Sequence, residues 1–400
     1  MQGISRRSAF AGLTASVLFF ALAVASAGPL VAGARTPTTT PPPSGSWRRL
    51  PPAPIAPGWD AVSVWTGTEM VAFGRAHPNP PWSVDVAAAY RPSTGTWRKL
   101  APFPGDRGNY EGGYTALWTG KEVLVFGPAD FQAYRPLTNR WRRPARALPA
   151  EFGLGLVVWT GREAIAWGGG CCGDASSTGW AYNPATGRVR KLARSPLTPS
   201  QGPMGAWTGR ELIVLVSGLD PDGKPYPASF ARAAAYNPAT NTWRRISPLP
   251  ARREGAAVVW DGREVLVVGG SVKSQTAQPW RLARVGFAYR PTTNRWRQLA
   301  PMDSGRASFA AVWTGTRLLV WGGTTIPGGG VRKVVPQSPP RGLAYDPAAN
   351  RWSALRQAPL RGRLDPTAVW TGHAMIVWGG VAANIYRGFA DGAAFTQATR

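Results

Sequence analysis

Acid, histidine and cysteine are scarce in this chain, and each shortage excludes something. Of 400 residues only 2 are Cys, and they are adjacent, so no disulfide framework holds the fold. With 2 His besides, no metal-spaced cluster can be assembled from the sequence, and neither a Ser-His-Asp arrangement nor a phosphate-binding glycine loop is present. Acids number 20 against 46 Lys plus Arg, a net +26 that taken alone suggests a partner for polyanions. The longest apolar run, residues 13–25, is too short and too soon interrupted to span a bilayer. What the chain has in plenty is Gly (48), Pro (39) and Trp (20), within a hydrophobic share of 44%. Disordered chains lack that aromatic content, so a large packed core is expected.

The first residues read as an export address. Arg6 and Arg7 precede the apolar run, and Ala25-Ser26-Ala27 is a small-residue cleavage signal. Residues 1–27 are therefore expected to be a signal peptide, cleaved after Ala27. The stretch Ser5-Arg6-Arg7-Ser8-Ala9-Phe10 resembles a twin-arginine signal, with ordinary secretion equally open. A Thr/Pro-rich linker follows over residues 28–43. This organisation implies a secreted or cell-envelope protein with no transmembrane anchor after cleavage.

From there the chain repeats. Trp-Thr-Gly begins at Trp65, Trp118, Trp159, Trp207, Trp313 and Trp370, and Trp-Asp-Gly at Trp260, at intervals between 41 and 57 residues. Around Trp260 an apolar run leads into the tight turn Asp261-Gly262, a second run over residues 265–268 ends in Gly269-Gly270, and a variable loop follows. Residues 286–289 form a third strand, residues 290–294 a turn set by Pro291 and Asn294, and Trp296 opens a fourth strand. Further glycine pairs stand at Gly168-Gly169, Gly322-Gly323 and Gly379-Gly380. Tyr…Trp pairs recur at Tyr90/Trp97, Tyr134/Trp141, Tyr236/Trp243, Tyr289/Trp296 and Tyr345/Trp352, with Val189 in the Trp place after Tyr182. A paired glycine, then a tyrosine, then a tryptophan seven residues on resembles the kelch repeat, whose period is about 50 residues. The resemblance covers residues 44–400 and implies an all-β fold, a seven-bladed kelch-type β-propeller of four-stranded blades.

The last repeat stops at residues 393–400, before a fourth strand. Ser44-Gly45-Ser46-Trp47-Arg48-Arg49-Leu50 matches Thr94-Gly95-Thr96-Trp97-Arg98-Lys99-Leu100, a fourth strand with no blade of its own. The N-terminal strand is thus expected to complete the last blade and close the ring, removing the open interface a solenoid would leave. Seven tryptophans then end first strands, six begin fourth strands, and Trp167, Trp180, Trp321 and Trp378 fall in second or third strands. Trp59, Trp82 and Trp280 are left to loops. Basic residues follow the fourth-strand Trp at Arg48, Arg49, Arg98, Lys99, Arg142, Arg143, Arg190, Lys191, Arg244, Arg245 and Arg297. They read as cations spread along outer blade edges, where they discourage edge-to-edge pairing. Nucleic acid, which asks for a continuous basic patch, is not an expected partner.

On a propeller the Trp-Thr-Gly and Pro-x-Thr-Asn turns lie on one face, and the second-to-third-strand and blade-to-blade loops on the other. The first kind is short and uniform here, the second varied, which is where a rigid scaffold hosts function. The candidate ligand-binding set is Arg107, Glu111, Glu151, Arg252, Arg253, Glu254, Arg306, Arg361, Arg363 and Asp365, a funnel at the channel mouth. Arginine and carboxylate together could hold a hydroxylated or carboxylated ligand, and a ring of salt bridges closing adjacent blades is the equal alternative. Some kelch propellers are enzymes, which opens copper radical oxidation and sialic acid mutarotation. Copper would need converging histidines, and His77 and His373 fall on opposite faces. The expected function is therefore an exported binding module for a protein, a cell-surface glycan or an anionic polymer, with no cofactor and no metal. A mutarotase-type enzyme using the funnel as acid, base and anion clamp is the alternative. Cys171 and Cys172 lie in Gly170-Cys171-Cys172-Gly173. A disulfide there is strained, since neighbouring Cα atoms lie about 3.8 Å apart, short of the usual range of about 4.4 Å upward. Flanking glycines relieve part of that strain, and the vicinal disulfide is preferred over two free thiols.

Overall fold

Each repeat in the computed structural model is a four-stranded antiparallel sheet, and seven such blades close into a ring. The structure describes residues 45–58, 61–79, 82–101, 114–127, 131–144, 155–170, 174–218, 224, 226–227, 229–272, 281–325, 341–382 and 388–398. The leader, the linker, Trp59, Trp280, Cys171, Cys172, Arg107, Glu111 and Glu151 lie outside those residues. Blade five shows the unit: strands Ala257–Trp260, Val265–Val268, Phe287–Arg290 and Arg295–Gln298 pair in that order, from the channel outward. Its inner two strands are almost wholly apolar because both faces of a blade are covered by its neighbours, so alternation with polar residues is lost. The innermost strands of successive blades touch one another all round the ring, including the seam between blades seven and one.

The turns explain the repeated residues. In the first hairpin of blade two, Gly120 takes φ +90°, and the Thr119 hydroxyl accepts from the Glu122 N–H at 3.0 Å. Asp261 performs the same task in blade five, its Oδ1 accepting from the N–H groups of Arg263 (2.7 Å) and Glu264 (2.6 Å). In the second hairpin the left-handed position falls to Asn139, Asn241, Asn294 and Asn350, or to Gly95 and Gly187. Each of those asparagines also accepts from the buried Tyr of its own blade, at 2.7–2.9 Å. That Tyr lies opposite the fourth-strand Trp, with ring centroids 5.0–5.2 Å apart.

The same Trp reaches into the preceding blade's exit loop, as where Trp141 Nε1 donates to Ala101 O at 2.9 Å and Trp296 Nε1 to Ser247 O at 2.8 Å. In blade three Val189 lies opposite Tyr182, and the partly buried Trp180 packs into the same cluster.

The arginine directly after the fourth-strand position is not an edge guard in blades one to five. Arg98, Arg142, Arg190, Arg244 and Arg297 turn back onto Glu69, Glu122, Glu163, Glu211 and Glu264, each four residues beyond a first-strand Trp. Arg98 and Arg190 also donate to the tyrosine hydroxyl of the next blade, Tyr134 at 3.3 Å and Tyr236 at 2.8 Å. The next residue, Lys99, Arg143, Lys191 or Arg245, is exposed in each of blades one to four.

Closure uses the N-terminal strand. Gly45–Arg49 pairs antiparallel with Gly392–Gln397 as the outer strand of blade seven, in a register that sets Trp47 against Phe395. The two rings lie 5.2 Å apart, and Trp47 Nε1 donates to Arg356 O of blade six at 2.8 Å.

Candidate functional site

With both hairpins of every blade on one face, the opposite face carries the second-to-third-strand connections and the loops leading into the next blade. Those connections run from residues 80–81 in blade one to residues 325–340 in blade six. Blade one differs from expectation here. Its second and third strands, Met70–Asn79 and Trp82–Arg91, continue as a long β-ribbon, so Trp82 begins a strand and does not sit in a loop. In blade five a short ribbon, Ser271–Val272 with Arg281–Leu282, stands on this face.

Arg253, Arg306 and Arg363 each precede an inner-strand Trp by seven residues and occupy equivalent places in blades five, six and seven. All three are buried, the last two completely. Arg253 donates to Gly269 O at 3.4 Å and to Val285 O, and its guanidinium lies 5.0 Å from the Phe287 ring centre. Arg306 donates to Arg341 O at 3.0 Å and lies 3.6 Å from Asp303. Arg363 donates to Gly379 O at 3.0 Å and Asp391 Oδ1 at 2.7 Å, under the Phe389 ring at 4.2 Å.

The glycine pairs make this possible. A Cβ at Gly270 (φ +81°) would come within 2.6 Å of Glu254 O, and the Gly270 N–H donates to Arg306 O of the next blade at 2.7 Å. Blade five thereby holds the backbone of the arginine whose side chain pins blade six. Gly323 N–H repeats the contact to Arg363 O at 2.9 Å. These guanidinia are hydrogen-bonded to backbone carbonyls, and Arg363 also to the Asp391 carboxylate, which offsets part of the cost of burying a cation. Burial holds Arg253 down at about 10, and burial also lowers Arg306 despite Asp303.

Asp365 is enclosed as well. Its backbone is left-handed (φ +50°), and its N–H donates to Ser308 O at 2.9 Å across the seam between blades six and seven. Burial raises its carboxyl to about 7, although a hydrogen bond with the Ser308 side chain opposes the shift. Arg252 and Glu254 are half-buried and Arg361 is exposed. Of the described candidates, then, Arg252, Glu254 and Arg361 reach the surface, while Arg253, Arg306, Arg363 and Asp365 form the packing beneath it.

Sequence reasoning passed over Arg232, at the end of the blade-four connection with its stem on Gly218, and the ring pair Tyr226 and Phe230 of the same connection. The available signal was Phe-Ala-Arg directly before the third strand Ala233–Asn237. His373 is exposed in the first hairpin of blade seven, whereas the backbone puts residue 77 in the ribbon at the opposite end of blade one. Among the described residues no three His, Cys, Asp or Glu side chains meet as metal ligands. A histidine-held copper therefore does not fit the residues of this chain.

A family model described as "Kelch motif" matches residues 252–303, which is blade five with its entry loop. Kelch-like protein 25 of Xenopus tropicalis is 30% identical over 159 residues, 38% of this chain and 26% of that protein. Beta-scruin of Limulus polyphemus is 27% identical over 101 residues, covering 25% of this chain and 11% of scruin. The chain thus spans about a quarter or less of the length of these curated relatives. Among solved structures, a fungal alcohol oxidase of the AA5 family in complex with copper superposes with a TM-score of 0.68. The match covers 88% of this chain and 76% of the oxidase, and at 14% identity it shows likeness of fold.

Proposed function

Because the chain is a kelch-repeat β-propeller, we propose that it is a binding module that holds a partner protein on its variable face. The observation that carries this reading is the difference between the two faces. One consists of near-identical hairpins capped by Thr, Asp, Asn and Gly, while the other holds connections of every length over a base of buried arginines. A rigid ring with one variable face suits recognition by loops. Export to the cell surface or envelope, and a cell-surface glycan or anionic polymer as ligand, extend the proposal from the leader and the basic charge. The mutarotase-type alternative has less support. An anion clamp needs cations that a substrate can reach, and of the described arginine candidates Arg253, Arg306 and Arg363 are enclosed, which leaves Arg252 and Arg361.

A photo-cross-linking residue distinguishes the faces. Placed at exposed Arg361 on the variable face it should capture a partner from cell-envelope extract. Placed at Leu137, which is 98% exposed on the hairpin face, it should not. Capture from Leu137 alone would overturn the assignment of the face.

A further inference from the structure

The hairpin face carries a charge that its own turns do not balance. In blades two to five the residue before the first-hairpin Glu is Lys121, Arg162, Arg210 or Arg263, and each is exposed. The inner strands that bear them, Thr115–Trp118, Leu156–Trp159, Met204–Trp207 and Ala257–Trp260, adjoin in that order around the channel, so the four cations form an arc. The Glu that follows each of them is taken up by the fourth-strand arginine of its blade. None of the four cations forms an ion pair among the described residues, nor do Arg140, Arg188 and Arg295, exposed at second hairpins farther from the channel. The other acids of this face, Asp261 and Asp346, accept from N–H groups of their own turns, and Asp346 also pairs with Arg317. Blades six, seven and one have Thr316, His373 and Thr68 in place of the arc's cation, so the charge lies to one side of the ring.

Leu137 projects from the same sector. It is 98% exposed at the tip of the turn Pro136-Leu137-Thr138, with exposed Arg135 and Arg140 on either side. Thr138 N–H donates to Arg135 O at 3.3 Å, and Asn139 Oδ1 accepts from the Tyr134 hydroxyl at 2.8 Å and from Ala101 N–H at 3.2 Å, which holds the turn in place. A lone exposed leucine is ordinary on a protein surface. Here the matching turns carry Ser93, Ala185, Ala239, Thr292 and Ala348, so a large apolar side chain occurs in one turn, and that turn lies where the arc begins. The chain also enters the ring at this face, since Gly45 pairs with Gln397 at the hairpin end of blade seven. The linker and the leader, with its apolar run of residues 13–25, are thus attached on the hairpin side.

We propose that the hairpin face rests on an anionic membrane surface, with the arc from Lys121 to Arg263 over acidic headgroups and Leu137 inserted between them. The inference goes beyond the variable-face reading and leaves that face turned away from the lipid, free for a protein partner. The hairpins of a propeller end at one level, and cations spread over a level face match a planar sheet of charge. Long basic side chains near an anionic leaflet are attracted to it, and their apolar stems suit the headgroup region. A soluble polyanion would use the same cations and gain nothing from Leu137, whereas a bilayer removes that side chain from water.

The test is co-sedimentation of the chain from Gly28 with vesicles of phosphatidylcholine containing phosphatidylglycerol, at physiological ionic strength. That chain keeps every strand of the ring and omits the apolar run of residues 13–25, which would enter a bilayer by itself. Saturable binding is expected to these vesicles and not to pure phosphatidylcholine. Lys121→Gln, Arg140→Gln and Arg162→Gln together should weaken it by about fivefold per cation removed. Leu137→Ser should weaken it by roughly tenfold and leave binding to soluble polyphosphate unchanged. Lys99→Gln, at the far end of an outer strand, should bind as the unaltered chain does. Melting temperatures equal to that of the unaltered chain establish that these surface variants are folded. No binding to the anionic vesicles, equal binding to the neutral ones, or full binding by the triple variant overturns the proposal. Binding lost in the triple variant and unmoved by Leu137→Ser overturns it in favour of a soluble polyanion. Vesicle-dependent protection from hydrogen exchange on the variable-face loops, with the hairpins unprotected, also overturns it. None of these results bears on the protein partner of the variable face, which the cross-link at Arg361 tests separately.

Discussion

Asp365 shows how a single residue stores a cost in this fold. A carboxyl raised to about 7 by burial binds its proton more tightly in the folded chain than in the unfolded one. The folded state then holds more protons than the unfolded state between the ordinary carboxylate range and about pH 7, so stability falls as pH rises through that window. Asp365→Asn keeps a side chain that tolerates the left-handed backbone and removes the ionisation. The variant is expected to be more stable at pH 8 by on the order of 3 kcal/mol and nearly equal at pH 4. Denaturant melts at the two pH values check this; a variant equally destabilised at both would mean that the carboxylate itself is needed. Arg253, Arg306 and Arg363 belong to the same layer. As loop arginines beside acids they read in the sequence as ligand contacts, but a loop sequence carries no information on which way a guanidinium turns. The direction is set by backbone carbonyls, those of Gly269 and Gly379 for Arg253 and Arg363 and that of Arg341 for Arg306, whose placement appears only with the fold.

At the scale of the element, a blade is joined to the next by a small set of contacts repeated around the ring. Glu69 is the type case, its side chain only 5% exposed and held by Arg98 at 2.8 Å, which also reaches Tyr134 of blade two. Burial pushes the Glu69 carboxyl up, yet the hydrogen bonds and charges of Arg98 and Arg91 outweigh it and leave it below the usual carboxylate range. The stability this pair contributes is therefore present above the ordinary carboxylate value and is lost as pH falls below it. Arg98→Ala should cost about 2 kcal/mol by removing both of its hydrogen bonds to an enclosed carboxylate that keeps Arg91 as its remaining cation. Arg98→Ala combined with Glu69→Gln should cost less than the two single changes added, a coupling measurable by a double-mutant cycle.

The strands, turns and Tyr…Trp pairs were legible because they recur with fixed offsets, and repetition turns weak local signals into a strong one. The Arg–Glu link was legible too, in the way its columns travel together. Blades one to five have both residues, and blade six loses both at once, to Arg317 and Ser353. Reading the arginines one strand at a time hides that coupling and makes them look like solvated edge charges.

For the whole molecule, closure decides whether these parts act as one scaffold. The strand Gly45–Arg49 contributes Trp47 to the cluster between blades six and seven, and Leu50 to that between blades seven and one. Leu50 N–H also donates to Gly392 O at 2.9 Å. Blade seven has Ala374 where blades one to five have Glu, so Arg48 lacks that partner and donates to Tyr90 of blade one at 3.4 Å. Closure thus depends on backbone pairing and apolar burial more than on the ion pair used elsewhere. Losing the strand would uncover a Trp-sized gap and an unpaired edge, and burial of one Trp and one Leu alone is worth a few kcal/mol. The most direct measurement compares the melting temperatures of the chain beginning at Gly28 and the chain beginning at Pro51. A clearly lower value for the shorter chain, restored when a peptide of residues 44–50 is added in excess, is the predicted result. Equal melting temperatures would contradict a ring closed by its own N-terminal strand.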